Sequence, residues 1–294
     1  MQIRLPDAFS VEWMLNHIRT SSYGAPYRFV RSRVLRRALW FSGAPVVVEF
    51  DLSRAGTMAV RRLAPDRAPP ALSRAGAGIR REVESRVRFL WGLDEEGGGH
   101  EAALAADPDL GPLFARFGAL RIVRAPDLYE ALLVAVIGQQ VSVPSAQAIR
   151  RKLMRNLGRE ITVSASPDRE GCPLYPTPLQ LLKSGDPALR AQGLSRQKSR
   201  YLLGIARHAA AGELDRAAFA GLSDDAAVAR LCQISGVGRW TAEIALMRGL
   251  GRNDVFPAGD LGLRVALQET LGLSERPDEK EVRKIAERWR GWRS

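Results

Sequence analysis

The sequence predicts an α+β N-terminal domain followed by a mostly α-helical domain. Three observations predict it. The chain has 294 residues, roughly two domains of ~150 residues each. Between Tyr27 and Leu63 it carries short β-branched runs, flanked on both sides by helical periodicity. Beyond the acidic, glycine-rich segment Asp94 to Gly99, almost all of the chain has helical period. The expected boundaries are residues 1–93 for the α+β domain, 94–110 for a linker and 111–294 for the helical domain.

Each element has its own signal. Ser10 to Arg19 reads as a helix, with Val11, Met14, Leu15 and Ile18 at i, i+3, i+4 and i+7. Val46-Val47-Val48-Glu49-Phe50 reads as a strand after the turn signal Ser42-Gly43-Ala44-Pro45. Ile79 to Leu93 reads as a second helix, with Val83, Val87, Leu90 and Trp91 on one face. Asp127 to Gln139 is apolar nearly all round, as in a helix buried within a bundle. Ile161 to Pro178 holds prolines and reads as a loop or short strand. Gln197 to Ala211 reads as another helix, with Tyr201, Leu202, Ile205 and His208 in its stripe; His208 is expected in the core or a groove.

Composition narrows the function. Lys and Arg number 44 against 32 Asp and Glu, a net charge of +12. That favours a polyanionic partner, nucleic acid before a membrane surface. Sixteen arginines and no lysine fall in residues 1–90, against seven acidic residues. Arg28, Arg31, Arg33, Arg36 and Arg37 read either as a solvated edge or as a phosphate-facing patch. Two cysteines, Cys172 and Cys232, exclude a disulfide framework, a four-cysteine zinc site and a cysteine-ligated iron–sulfur cluster. Three histidines argue against a His-rich metal site. No run approaches the ~18 apolar residues of a membrane span, and the N-terminus lacks a signal-peptide pattern. The expected address is the cytoplasm, at the nucleoid.

The informative segment runs from Gly221 to Arg264. Ser223 is placed to cap a helix that runs to Cys232, with Asp224 and Asp225 in its first turn. Ile234-Ser235-Gly236-Val237-Gly238 is a turn, and a helix follows from Arg239 to about Leu250. Glycines allow a tight turn and close approach of a ligand to the backbone. The amides opening the second helix suit a phosphate oxygen. A plain glycine helix cap explains the turn equally well. Pro257 and Gly259 then forbid regular helix, and Asp260 falls at the N-cap of a helix starting near Leu261. Asp260 reads as a cap, or as the carboxylate that a developing sugar cation needs beside it.

At this point the sequence resembles the helix-hairpin-helix DNA glycosylase superfamily and, within it, the bacterial DNA-3-methyladenine glycosylase II family. The segment LCQISGVGRWTAEIALMRGLGRNDVFPAGD resembles its hairpin, Gly/Pro-rich loop and aspartate signature. Ala135 to Val143 (AVIGQQVSV), Tyr175 to Pro178 (YPTP), Gly193 to Lys198 (GLSRQK) and Ala286 to Ser294 (AERWRGWRS) resemble four further family segments, in the family's order.

The resemblance implies a monofunctional glycosylase that hydrolyses the N-glycosidic bond of alkylated purines in base excision repair. Its catalytic aspartate falls on Asp260. Base-pocket positions fall on Trp240, Ile244, Leu261 and His17. DNA contacts fall on Gln140, as the wedge where the base leaves, and on Gly236, Gly238, Arg239 and Thr241. A monovalent cation, sodium or potassium, falls on the carbonyls of Cys232, Ile234 and Val237; no other cofactor is implied. The partner implied is double-stranded DNA, with no membrane, bound by a monomer. Trp240 occupies the position of the Schiff-base lysine of bifunctional relatives, and no lysine lies between Lys198 and Lys280. The pocket is less aromatic than the family pattern, and that pattern continues beyond Ser294 into one more helix, expected to be missing here. A non-catalytic DNA-binding module and a glycosylase for another lesion remain the alternatives.

Overall fold

A computed structural model describes residues 1–7, 9–41, 43–63, 77–93, 99–118, 120–163 and 171–294. The N-terminal region is a five-stranded antiparallel sheet built from β1 (Gln2–Arg4), β2 (Tyr27–Arg31), β3 (Val34–Phe41), β4 (Ala44–Asp51) and β5 (Thr57–Leu63). The spatial order is β1-β5-β4-β3-β2. The β-branched run forms β4, and its turn is tighter than the sequence suggests, because Ala44 and Pro45 already pair with Phe41 and Trp40. Ser42 lies outside the described residues. Strand β1 has no signal in the sequence; three residues are too few for a period, and pairing with β5 makes the strand.

Side chains alternate across this sheet, and both faces are covered. Leu35, Leu39, Val46, Val48 and Phe50 face the main core with α1 (Val11–Thr20) and α2 (Ala77–Leu90). Met14, Leu15, Ile18, Val83, Val87, Leu90 and Trp91 are buried there, as their spacing predicts. Ala38 and Val47 point the other way and pack on Ile161, Cys172 and Leu174. Those residues belong to a small antiparallel pair, β6 (Arg159–Ile161) and β7 (Cys172–Leu174). The part of the Ile161–Pro178 reading at 164–170 lies outside the described residues.

Within the arginine cluster, Arg36 and Arg37 depart from both sequence readings, while Arg31 and Arg33 are exposed. Arg36 and Arg37 are buried. Arg36 pairs with Glu49, which lies opposite it in the β3–β4 register and also takes Arg61. Arg37 projects to the other face and pairs with Glu130. Arg33 pairs with Glu12, and Arg28 donates to the carbonyl of Gly171. The sheet uses Arg36 and Arg37 as internal ties.

The helical region follows. The 94–98 part of the expected linker lies outside the described residues, while 99–106 form α3 (Gly99–Ala106), before α4 (Gly111–Phe117). The next helix, α5 (Leu128–Gly138), is buried at every residue from Leu128 to Ile137. Around it lie α6 (Val143–Leu157), α7 (Pro178–Ala191) and α8 (Arg196–Ala210). Then come α9 (Asp224–Leu231), α10 (Arg239–Ala245), α11 (Leu261–Leu271) and α12 (Glu279–Ala286). One apolar core runs from Ile3 in the sheet through α5 and α8 to Val255. His208 on α8 stands at the surface, with its Nδ1 2.6 Å from Glu213.

Candidate active site

The turn between α9 and α10 is built as the sequence suggests. Ser223 caps α9 by accepting the Ala226 amide at 3.2 Å. After Cys232 the chain closes a turn in which the Val237 amide donates to the Ile234 carbonyl at 3.0 Å. Ile234 and Val237 are buried and anchor that turn from below. Gly236 is required twice: its φ is +86°, and a Cβ there would lie 2.2 Å from the ring of Tyr201. Gly238 differs. Its φ is −85°, and beyond its chain neighbours no atom lies within 4 Å of where a Cβ would be. Gly238 offers no side-chain acceptor to the first amides of α10, so they face outward uncapped.

Helix α10 ends in a π turn over Leu246–Leu250. Trp240 and Ile244 lie on one face, one turn apart, half-buried. The Val255–Asp260 loop returns the chain to this face. Phe256 and Ala258 are buried with Val282 and Trp289, which holds the loop from behind. Asp260 caps α11, with its Oδ1 accepting the Leu263 amide at 3.0 Å. Its Oδ2 accepts the indole N–H of Trp240 at 2.9 Å. Both donors are neutral, so the carboxylate is oriented without a paired arginine or lysine among the described residues. Asp260 is half-buried, and Leu261 beside it is 59% exposed.

His17 comes from α1. Burial, with the Arg248 guanidinium nearby, pushes its pKa down to about 4, so the ring is neutral at pH 7. Arg248 lies four residues beyond Ile244 on the α10 continuation, which places His17 beside the segment that carries Trp240 and Ile244. Arg248 itself donates to the Val123 carbonyl at 2.7 Å and stacks over the Tyr23 ring.

Among the positions expected to contact DNA, Gln140 is exposed at the tip after α5. Its φ of +55° is left-handed, a conformation that costs an ordinary residue about 1–2 kcal/mol. Val141 and Val143 beside it are exposed too. Thr241 is buried, and its hydroxyl accepts from Gln139 Nε2 at 3.0 Å. Its side chain therefore braces the hairpin from within. Arg239 is half-exposed and tied to Asp225 at 3.2 Å and to the buried Glu243 at 2.9 Å. Arg283 of α12 joins it on Glu243 at 2.8 Å. The two arginines only partly offset desolvation, and the Glu243 pKa stays raised.

Several functional-looking contacts escape a reading of the sequence. Gln139, one residue before the predicted wedge, donates to the Gly236 carbonyl at 3.0 Å. The doublet Gln139-Gln140 was visible, yet only the turn geometry separates an inward from an outward residue. The GLSRQK segment places Lys198, whose ammonium donates to the carbonyls of Ile137 and Gln139. The C-terminal segment ties down the loop before Asp260: Arg293 pairs with Asp254 at 2.7 Å, and Ser294 donates to the Val255 carbonyl at 2.6 Å.

With this geometry in place, similarity to known proteins is informative. Residues 133–291, more than half of the chain, match the family described as HhH-GPD superfamily base excision DNA repair protein. The chain is 29% identical over 221 residues to a DNA-3-methyladenine glycosylase of Bacillus subtilis, covering 73% of this chain and 70% of that one. It is 36% identical over 212 residues to a Mycobacterium tuberculosis protein called probable bifunctional transcriptional activator/DNA repair enzyme AlkA, of which it spans 40%. Among solved structures, 3-methyladenine DNA-glycosylase from Archaeoglobus fulgidus superposes with a TM-score of 0.82 at 26% identity, covering 98% of this chain and 92% of that one. On the extent of the family match, the chain belongs to the HhH-GPD superfamily of base excision DNA repair proteins.

Proposed function

We propose that this protein is a monofunctional DNA glycosylase that removes alkylated purines, of the 3-methyladenine and 7-methylguanine type, from double-stranded DNA. One observation carries the reading: Asp260 is fixed by two neutral N–H donors, at 2.9 and 3.0 Å, with no arginine or lysine paired to it among the described residues. Alkylation at N3 or N7 makes the purine cationic, so the base leaves without a strong acid. The C1′–N bond breaks, its electron pair stays on the departing base, and positive charge develops on the sugar. A fixed carboxylate in a partly desolvated site stabilises that charge more than water does. Water then adds its oxygen to C1′ and releases a proton, leaving an abasic site.

The remaining assignments follow the same reading. Trp240 carries no amine, so the base is released by hydrolysis, the sugar stays in the backbone and the strand is not cut. Trp240, Ile244, Leu261 and the neutral His17 line the base pocket. A neutral His17 adds no charge repulsion toward a cationic base. Gly236, Gly238 and the opening amides of α10 take a phosphate, and the open space where a Gly238 Cβ would lie supports such an approach. Gln140 fills the stack behind the extruded nucleotide, offsetting part of the few kcal/mol that flipping costs. The hairpin carbonyls of Cys232, Ile234 and Val237 are neutral oxygen donors of the kind that would hold a monovalent cation, the Ile234 carbonyl also accepting the Val237 amide at 3.0 Å. Bound there, sodium or potassium would strengthen the pull on the phosphate. One chain carries every part of this site, so a monomer suffices, acting on cytoplasmic nucleoid DNA. Among the described residues, no helix is long and apolar enough to cross a membrane.

The test is product analysis after incubation with methylated duplex DNA. Free 3-methyladenine and alkali-labile abasic sites are expected in excess over enzyme. Salt-sensitive duplex binding without released base would instead identify a non-catalytic binding module.

A further inference from the structure

The GLSRQK segment has no part in the chemistry above, yet it meets both DNA-facing elements. Ser195 caps α8 by accepting the Lys198 amide at 3.2 Å, which puts Lys198 in the first turn of that helix. A cation there opposes the dipole of its own helix. The side chain instead crosses to the end of α5, where a cation is favoured. Its half-buried ammonium donates to the Ile137 carbonyl at 2.9 Å and the Gln139 carbonyl at 2.5 Å. The next residue is Gln140, whose positive φ is unique among non-glycine residues of the described chain. Gln139 turns the other way, with Nε2 3.0 Å from both the Gly236 carbonyl and Thr241 Oγ1. Tyr201, one turn along α8 from Lys198, lies directly under Gly236.

We infer that Lys198 is a positioning residue for nucleotide flipping: by clamping the two carbonyls before Gln140 it sets the left-handed turn that presents this residue to the duplex, while Gln139 locks the same turn to the hairpin. The wedge and the phosphate grip then move as one rigid body, and neither can engage a strand out of register with the other. The inference rests on the proposed roles of Gln140 and the hairpin, and it adds Lys198 and Gln139 as the parts that couple them.

The experiment uses the full chain and a duplex containing a tetrahydrofuran abasic analogue with a neighbouring 2-aminopurine, so it needs no base release. Wild type is expected to prefer this duplex over an undamaged one and to change the 2-aminopurine fluorescence as the wedge enters. Lys198→Met should reduce that preference at least ten-fold and abolish the fluorescence change, with undamaged-duplex affinity within two-fold of wild type. Lys198→Arg, which keeps charge and donors, should retain most of both. In a Gln140→Gly background, Lys198→Met should add less than two-fold, because no side chain is left to position. Gln139→Ala is the second variant, and it should lose the fluorescence change while Gln140 is intact. The inference is overturned if wild type gives no fluorescence change, or if both Lys198→Met and Gln139→Ala retain it. It is overturned too if Lys198→Met instead lowers the salt slope of duplex binding by about one, the mark of a plain phosphate contact. Failure of wild type to release methylated bases would defeat the proposed function and leave these binding readouts standing.

Discussion

Glu130 and Asp260 are carboxylates at the N-terminal ends of two helices, one in the first turn and one at the cap, and their surroundings treat them in opposite ways. Glu130 lies where α5 meets the sheet, buried against Arg37. Desolvation outweighs the arginine and pushes its pKa up to about 7. Elsewhere in the molecule Arg36 and Arg61 are tied to Glu49, and Arg121 to Glu101. At the hairpin, Asp260 is held only by an indole and a backbone amide. A carboxylate neutralised by arginine fixes a fold and has nothing left for a ligand. One oriented by neutral donors has no paired cation in the way of a cationic ligand. The difference lies in the partners, since both residue types are common in a first helical turn.

This comparison breaks most visibly at Glu130. Removing one member of a buried pair leaves the other unpaired, at a cost of about 3–5 kcal/mol. Glu130→Ala should therefore lower the unfolding free energy by that amount, read as a lower urea midpoint with the slope of the transition unchanged. A loss below 1 kcal/mol would mean that the pair is no tie between sheet and helices.

The next largest effect is pH-dependent and belongs to His17. Its folded value near 4 lies below that of an unfolded histidine, about 6.5. Between those values the unfolded chain binds a proton that the folded chain refuses. Stability from this residue is complete above pH 6.5 and is lost as pH falls toward 4, by at most about 3 kcal/mol. Denaturation at pH 7 and pH 4.5 should show a smaller acid loss for His17→Leu than for wild type. Equal losses would place His17 in a solvated setting.

A smaller effect sharpens the other side of the comparison. Trp240→Phe keeps a ring but removes the N–H that orients Asp260. A hydrogen bond to a charged group contributes about 1.5–3 kcal/mol, so single-turnover base release should slow roughly ten- to hundred-fold. Duplex affinity should hold within two-fold. An unchanged rate would show that the Leu263 amide alone orients the carboxylate.

Much of this architecture is legible in the sequence, because it rests on local patterns. The apolar run of α5, the turn signal before β4 and the Gly236 and Asp260 positions each announce themselves within a dozen residues. What stays hidden depends on distant partners. Arg36 and Arg37 look like surface charge until the register sets Glu49 beside one and the helical layer brings Glu130 to the other. The α3 helix hides in a stretch that composition marks as linker. The indole contact to Asp260 joins residues twenty positions apart across a proline-containing loop. Gln139 and Gln140 are chemically identical neighbours, and only a positive φ sends one inward and the other out.

The central claim is that Asp260 supplies charge to the reaction and only a cap to the fold. Asparagine caps a helix nearly as well as aspartate, so Asp260→Asn separates the two roles in one protein. Single-turnover release of 3-methyladenine from methylated duplex DNA should fall by about 10²–10³-fold, with the thermal midpoint within a few degrees of wild type. Release at the parent rate, or a loss accompanied by unfolding, would contradict the account.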